Sequence, residues 1–283
     1  MTRIQMLGLC RFSYLGGAGF QIEHDTIEQR RAFLYEPARL ARRWFWFENV
    51  ALPGLIAQTD PDFTLVVMTG PDLPEPYLGM LRDLAATVPQ IELELVEPME
   101  AHLDACMAAI APHVEPSAAI VGHFRHDDDD AVSVDYIAAA RADFPLVQLA
   151  FARSRRASID YPRGLVLHAD DKGLRIEARM IHNAVAGLTI YLGAELPRSA
   201  VHYAHWKLAL SMPGLVLGSQ PRFVRVLHGD NDSGAVGASY PWRIGTAEAE
   251  AMLADRFRLD LPALRQGMRE LPRQPEASEP PAD

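Results

Sequence analysis

The sequence is poor in cysteine. Its 283 residues contain two, Cys10 and Cys106, and neither belongs to a Cys-x-x-Cys pair. A disulfide framework is therefore not expected, and both thiols sit among apolar residues, as buried free cysteines of a reducing compartment do. No apolar run approaches the ~18 residues of a membrane span. The first six residues lack the long apolar core of a signal peptide. A soluble, cytoplasmic protein is the expectation. Positive charge is in deficit, with 27 Lys and Arg against 37 Asp and Glu and a formal net charge of −10. That argues against a nucleic-acid-coating role, because phosphate-backbone binding relies on Lys and Arg. It also makes the surface as a whole a poor match to anionic lipid.

Apolar sequence is plentiful: 49% of residues are hydrophobic and 23% charged, a globular composition with enough material for a sizeable core. Strands predicted at 4–12, 63–69, 91–96 and 118–122 alternate with helices at 36–49, 77–87 and 99–111. That alternation predicts a parallel sheet covered by helices, an α/β fold. The 91–96 strand alternates at period two and belongs at an edge. Further on, 146–151 reads as a strand, 165–168 and 174–180 as a hairpin around Asp170-Asp171-Lys172-Gly173, and 199–210 as a helix. A strand at 223–227 and a helix at 246–257 follow. Gly16-Gly17-Ala18-Gly19-Phe20 lacks dinucleotide-binding spacing and reads as a loop. Arg153-Ser154-Arg155-Arg156 reads as a solvated patch able to meet a phosphate or a lipid head group. The stretch from Pro272, rich in Pro, Glu and Ala, is predicted to be disordered.

The chemistry concentrates in Arg125-His126-Asp127-Asp128-Asp129-Asp130, between the apolar residues 118–122 and a helical pattern at 133–140. Carboxylates at the C-terminal end of a strand stand in the crevice where open α/β sheets bind ligands. Their repulsion calls for a cation, and hard divalent ions take one or two carboxylates plus substrate phosphates. Asp127 and Asp129 have Asp-x-Asp spacing, with Asp128 and Asp130 as helpers. A plain solvated acidic loop is the competing reading, weakened by the apolar residues on both sides. A second polar cluster, His228-Gly229-Asp230-Asn231-Asp232-Ser233, also follows a strand. If both clusters face one sheet edge, His228 completes a mixed oxygen and imidazole site suited to Mn²⁺. A loop histidine bonded to nearby backbone is the alternative, and His202 and His205 are rival ligands.

With these residues the chain resembles the bacterial rhamnosyltransferase family of GT-A-like glycosyltransferases. The matching residues are Arg11-Phe12-Ser13-Tyr14, Leu52-Pro53, Gln58-Thr59-Asp60 before Phe63, Arg125 with Asp127, Asp129, Asp130 and Ala131, Ala186-Gly187-Leu188, and His228 with Asn231-Asp232-Ser233. They run in order over about residues 1–240. The resemblance implies a GT-A-like, mixed and mostly parallel sheet with helices on both faces and a Rossmann-like N-terminal half. One domain over 1–271 would comprise a nucleotide-binding half, 1–145, and an acceptor-side half, 146–271. The implied donor is a nucleotide-diphosphate sugar. The acceptor is a hydroxyl on a saccharide or lipid-linked saccharide, which would bring a cytoplasmic protein to the periphery of the inner membrane. The implied cofactor is Mn²⁺ or Mg²⁺, held by Asp127 and Asp129 with Asp130 and His228. Arg11 and Arg125, with Asp127 and Asp128, would contact the nucleotide, and Asp230 and Asp232 are candidates for the general base. A metal-dependent phosphohydrolase or nucleotidyl-transfer enzyme, and a non-catalytic cation-binding module, would use the same carboxylates.

Overall fold

Residues Ile4–Arg11 form β1, and its side chains divide cleanly between two faces. Met6 and Cys10 enter one apolar cluster, while Leu7 and Leu9 enter another on the opposite face. A strand buried on both faces belongs in the middle of a parallel sheet. The computed structural model describes residues 3–16, 26–98, 101–231 and 239–272. Part of the Gly-rich loop, Asp232, Ser233 and the stretch after Pro272 lie outside the described residues.

β2 (Thr64–Thr69), β3 (Ile91–Leu95) and β4 (Ile120–Arg125) run parallel to β1 in the order β3-β2-β1-β4. β3 is the edge strand that its period-two pattern predicted. The helices are α1 (Ile27–Leu34), α2 (Pro37–Trp46), α3 (Leu52–Ile56), α4 (Tyr77–Thr87) and α5 (His102–Ile110). α4 packs Leu78 and Leu81 on one face of the sheet, and α5 packs Cys106 and Ala109 on the other. Residues Phe47–Ala51 between α2 and α3 form a π-helical turn, a geometry that often marks functional sites.

Beyond β4 the chain changes sheets. β5 (Ala131–Val132) belongs to a second sheet, so the acidic residues 127–130 are the joint between the two. Then come α6 (Tyr136–Asp143), α7 (Gln148–Ser154), β6 (Arg156–Asp160), β7 (Arg163–Asp170), β8 (Gly173–Ile181), β9 (Leu188–Gly193), β10 (Gly214–Val216), β11 (Phe223–Leu227), β12 (Ser239–Pro241), α8 (Thr246–Phe257) and α9 (Leu261–Glu270). The first sheet has the order β10-β6-β9-β4-β1-β2-β3, in which only β9 is antiparallel to its neighbours. The second has the order β12-β8-β7-β11-β5. The fold is thus mixed α/β with a mostly parallel central sheet, as the resemblance implied.

Two local expectations fail. Residues 146–151 are not a strand: Phe151 lies in α7, and Val147 and Phe151 bury one helical face at i, i+4 spacing. Residues 199–210 are not one helix but two 3₁₀ turns, Ala200–His202 and His205–Leu210. The hairpin over 165–180 does form, as β7 and β8, with Gly173 at φ 113° closing the turn.

α3 presses on the strand that leaves the acidic joint. A Cβ on Gly54 would lie 2.2 Å from the Val132 carbonyl oxygen, a backbone atom that cannot swing away. Gly54→Ala is expected to destabilise the fold by about 1–3 kcal/mol through overpacking. Urea denaturation measures this, and an unchanged midpoint would contradict the packing.

Candidate active site

The acidic joint is held from below. The His126 N–H donates to the Leu9 carbonyl at 3.0 Å, which keeps the chain beside β1 one residue past β4. Burial pushes the His126 imidazole down to about 4, so it is neutral, and its Nε2 lies 3.2 Å from the Ala51 carbonyl in the π-helical turn. The Asp130 N–H closes the turn on the Asp127 carbonyl at 3.2 Å. Asp128, Asp129 and Asp130 are buried and Asp127 is half-buried.

Three buried carboxylates need compensation, and α2 supplies it. Arg43 donates from Nε to Asp128 Oδ2 at 3.0 Å and from Nη1 to Asp129 Oδ2 at 2.9 Å, and its Nη2 meets Asp128 Oδ1. Asn231 Nδ2 also reaches Asp129 Oδ2, at 3.0 Å, and His228 Nε2 lies 3.1 Å from the same oxygen. Burial alone would raise the Asp129 carboxyl, but Arg43 and His228 hold it far below its usual value. Asp130 goes the other way. Burial and the charges of Asp129 and Asp127 push it well above its usual 3.8, against Arg225 and an N–H bond from Val226 at 3.2 Å.

This split has a thermal consequence. Below pH 3.8 the Asp130 carboxyl is protonated in both states. Above it the unfolded chain releases the proton and the folded chain retains it, so stability falls until the folded carboxyl titrates too. Asp130→Asn keeps an acceptor for Val226 and removes this cost. In chelator near neutral pH it is expected to raise Tm, by about 2–4 °C for each kcal/mol relieved. A drop in Tm would contradict the assignment.

His228 is fixed on three sides. Its ring stacks on Trp46 at 5.2 Å and 11°, its Nδ1 accepts from the Asp230 N–H at 3.1 Å, and its Nε2 faces Asp129. In the neutral ring Nε2 therefore carries the proton and donates to Asp129. Asp230 is clamped by Arg42, with Nε to Oδ2 at 2.5 Å and Nη2 to Oδ1 at 3.0 Å. Burial pushes the Asp230 carboxyl up, and Arg42, His228 and Arg39 together bring it below its usual value.

A cationic group adjoins the acidic one. Arg11 ends β1 and Arg125, opposite Leu9, ends β4, both at the C-terminal edge of the first sheet. Arg11 Nη1 lies 3.3 Å from His102 Nε2 on α5. Burial lowers His102 to about 4, helped by the charges of Arg11, Arg125 and Arg30. Burial and Arg11 also lower Arg125, with Asp127 pulling it back up. Positive charge thus converges beside Asp127.

Across β9 from Arg125, Asp160 ends β6 and lies buried, with its Oδ2 3.2 Å from His182 Nδ1. His182 is itself about half exposed, at 54%. The next residue, Asn183, accepts from His205 Nδ1 at 2.7 Å, and His205 lines a small cavity with Arg125, Leu188 and Tyr203. A larger cleft of about 730 Å³ lies elsewhere, between β8, Trp242, Arg243 and the start of α8, and contains none of these residues.

The structure therefore brings together Asp127 to Asp130, His228 and Asp230, and sets Arg11 and Arg125 beside them. Asp232 lies outside the described residues. Sequence reasoning missed Arg42, Arg43, Trp46 and the Asp160–His182 pair. The signal for α2 was legible in Arg39, Arg42, Arg43 and Trp46: three arginines amid apolar residues at helical spacing, too many to bury without carboxylate partners. Nothing local marked the Asp160–His182 pair, whose members are 22 residues apart.

The carboxylates suit a divalent ion in donor type, and the charge excess felt by Asp130 is what a cation would relieve. Among the described residues no group of three or more His, Cys, Asp or Glu is set to hold a metal by protein ligands alone. A divalent ion held here would need donors beyond the protein, such as substrate phosphates and water. His228 would join it only in its other tautomer.

The first sheet is mixed and carries carboxylates and arginines at the C-terminal edge of its central strands. Residues 5–240 match the family model described as "Putative rhamnosyl transferase", and the chain belongs to that family. Among solved structures it resembles S. aureus TarS 1–349 in complex with UDP, at 12% identity and TM-score 0.43, covering 80% of this chain and 61% of that one. It also resembles the same TarS fragment in complex with UDP-GlcNAc, at 11% identity and TM-score 0.41, over 81% of this chain and 60% of that one. Rv0371c from Mycobacterium tuberculosis H37Rv matches at 14% identity and TM-score 0.31, over 78% of this chain and 92% of that one. The chain spans about three fifths of the length of the TarS 1–349 chains. No curated protein matches its sequence.

Proposed function

We propose that the protein is a glycosyltransferase that moves a sugar from a nucleotide-diphosphate donor to an acceptor hydroxyl, with the diphosphate seated between Arg11, Arg125 and the Asp127–Asp130 turn. The observation that carries this reading is the convergence of Arg11 and Arg125 at the shared edge of β1 and β4, next to four carboxylates. Two arginines there would bind the diphosphate and stabilise the charge that grows on it as the glycosidic bond breaks. Bound at Asp127 and Asp129, a divalent cation would add Lewis-acid neutralisation of the same charge. Arg43, His228 and Asn231 hold Asp129 in one orientation, and Trp46 holds His228. Arg42 does the same for Asp230, and a carboxylate so clamped is a poor proton acceptor, which favours a positioning role.

For the acceptor proton, His182 is the better placed group. It is exposed, its Nδ1 faces a buried carboxylate, and it stands at the same sheet edge as Arg125. With Nδ1–H directed at Asp160, Nε2 is left to take the hydroxyl proton. His182→Gln is expected to lower turnover by about 10²–10⁴ with donor binding unchanged. Equal turnover in the variant would remove His182 from the reaction.

The test of the donor assignment is a thermal-shift panel of nucleotide diphosphates and nucleotide sugars, each with Mn²⁺ and with chelator. At 100 times Kd a ligand stabilises by about 2.7 kcal/mol, which shifts Tm by roughly 5–10 °C. One nucleotide that shifts Tm in Mn²⁺ and loses its effect in chelator is the expected result. No shift across the panel would refute the reading, and turnover of simple phosphate esters would favour a phosphohydrolase.

A further inference from the structure

A small cavity adjoins the groups assigned to the reaction. Its volume is about 10 Å³, room for a single water-sized group. Arg125, Tyr203 and His205 line it, together with Leu188, Ile190 and Ala200. Arg125 is the residue assigned to the diphosphate. His205 Nδ1 lies 2.7 Å from the carbonyl of Asn183, the residue after His182. The charges of Arg125 and Asp127 both act on the His205 ring. The cavity thus links the group that holds the diphosphate to the segment that carries the base. A sugar in transfer bridges the same two groups, because the acceptor oxygen attacks the carbon that the diphosphate leaves.

The polar lining narrows the occupant. Tyr203 is 5% exposed, and its hydroxyl has no hydrogen-bond partner among the described residues. Buried hydroxyls are nearly always paired, so one left over calls for a partner from outside the chain. Burial lowers His205, which keeps the ring neutral near neutral pH. With Nδ1–H given to the Asn183 carbonyl, Nε2 keeps its lone pair. The residues around the cavity thus supply a hydroxyl, an acceptor nitrogen and a guanidinium. A phosphate oxygen only accepts, and would face the His205 lone pair. A methyl group would leave Tyr203 and His205 unpaired. A hydroxyl donates to one and accepts from the other. We propose that this cavity is the subsite that recognises one hydroxyl of the transferred sugar, with Tyr203 and His205 as its hydrogen-bond partners. The inference rests on the donor reading above and deepens it. Tyr203 becomes a specificity-determining residue, since a site built to bond a hydroxyl rejects the analogue that lacks it.

The test is calorimetric titration of the full chain in Mn²⁺, with two probes: the nucleotide sugar that shifts Tm in the panel above, and the nucleoside diphosphate of the same base. Tyr203→Phe is expected to weaken the nucleotide sugar about ten-fold and to leave the diphosphate unchanged. Its Tm should not fall, because the hydroxyl removed bonds nothing among the described residues. Donor analogues that each replace one sugar hydroxyl with hydrogen identify the group. For one of them, the loss in wild type and the loss from Tyr203→Phe should fail to add, which is the mark of a direct contact. Equal weakening of sugar and diphosphate would overturn the proposal, as would no weakening of either or full additivity for every analogue. Each of these results leaves a buried water as the cavity's occupant and the donor reading intact. If neither probe class binds the wild type, the donor reading itself fails, and the subsite with it.

Discussion

Arg43→Met is expected to be the most destabilising single change in the protein. Arg43 neutralises Asp128 and Asp129 together, all three side chains being nearly inaccessible to water. Removing one partner of a buried ion pair leaves an uncompensated charge and costs about 3–5 kcal/mol, here with two carboxylates exposed to each other. Tm should fall by roughly 10 °C or more. Asp128→Asn in the same chain should recover part of the loss, because Asp129 keeps Asn231 and His228 while the second charge is gone. Thermal denaturation of wild type, single and double variants closes the cycle. If Arg43→Met leaves Tm in place, Arg43 does not hold the turn.

Asp129→Asn should spare the fold and remove the activity. An amide oxygen still accepts from Asn231 and Arg43 keeps Asp128, so the chain stays folded and Tm falls by less than in Arg43→Met. The charge at the centre of the turn is lost, and with it the negative centre of the proposed cation site. Several kcal/mol of transition-state stabilisation then disappear, a fall in turnover of about 10³. Steady-state rates on the donor chosen by the thermal-shift panel, at saturating Mn²⁺, measure it. A variant within a few-fold of wild type would take Asp129 out of the reaction.

The frame was legible because it rests on local pattern. The two-sided burial of β1, the period-two alternation of β3 and the apolar spacing of α4 each depend on neighbours in sequence. The acidic turn stood out for the same reason: four adjacent carboxylates after a strand have few structural uses. Residues 146–151 misled because Leu-Val-Gln-Leu-Ala-Phe fits both periods. Leu146 and Leu149 then proved exposed, which apolar identity does not reveal. Arg43, Trp46 and His182 were hidden because their partners come from distant elements: α2 on the turn, β11's exit on α2, and β8's end on β6. Long-range pairs of this kind become visible only when the topology is known. Even β5, two residues long, had no signature of its own, although it is what carries the turn from one sheet to the other.

The central claim is that a diphosphate sits at the shared edge of β1 and β4. The most direct measurement is a crystal structure with Mn²⁺ and the nucleotide diphosphate that shifts Tm, with the ion located by its anomalous scattering. The account predicts phosphate oxygens within hydrogen-bond distance of Arg11 and Arg125, and the ion against Asp127 or Asp129. A nucleotide bound instead in the cleft beside Trp242 and Arg243 would contradict it.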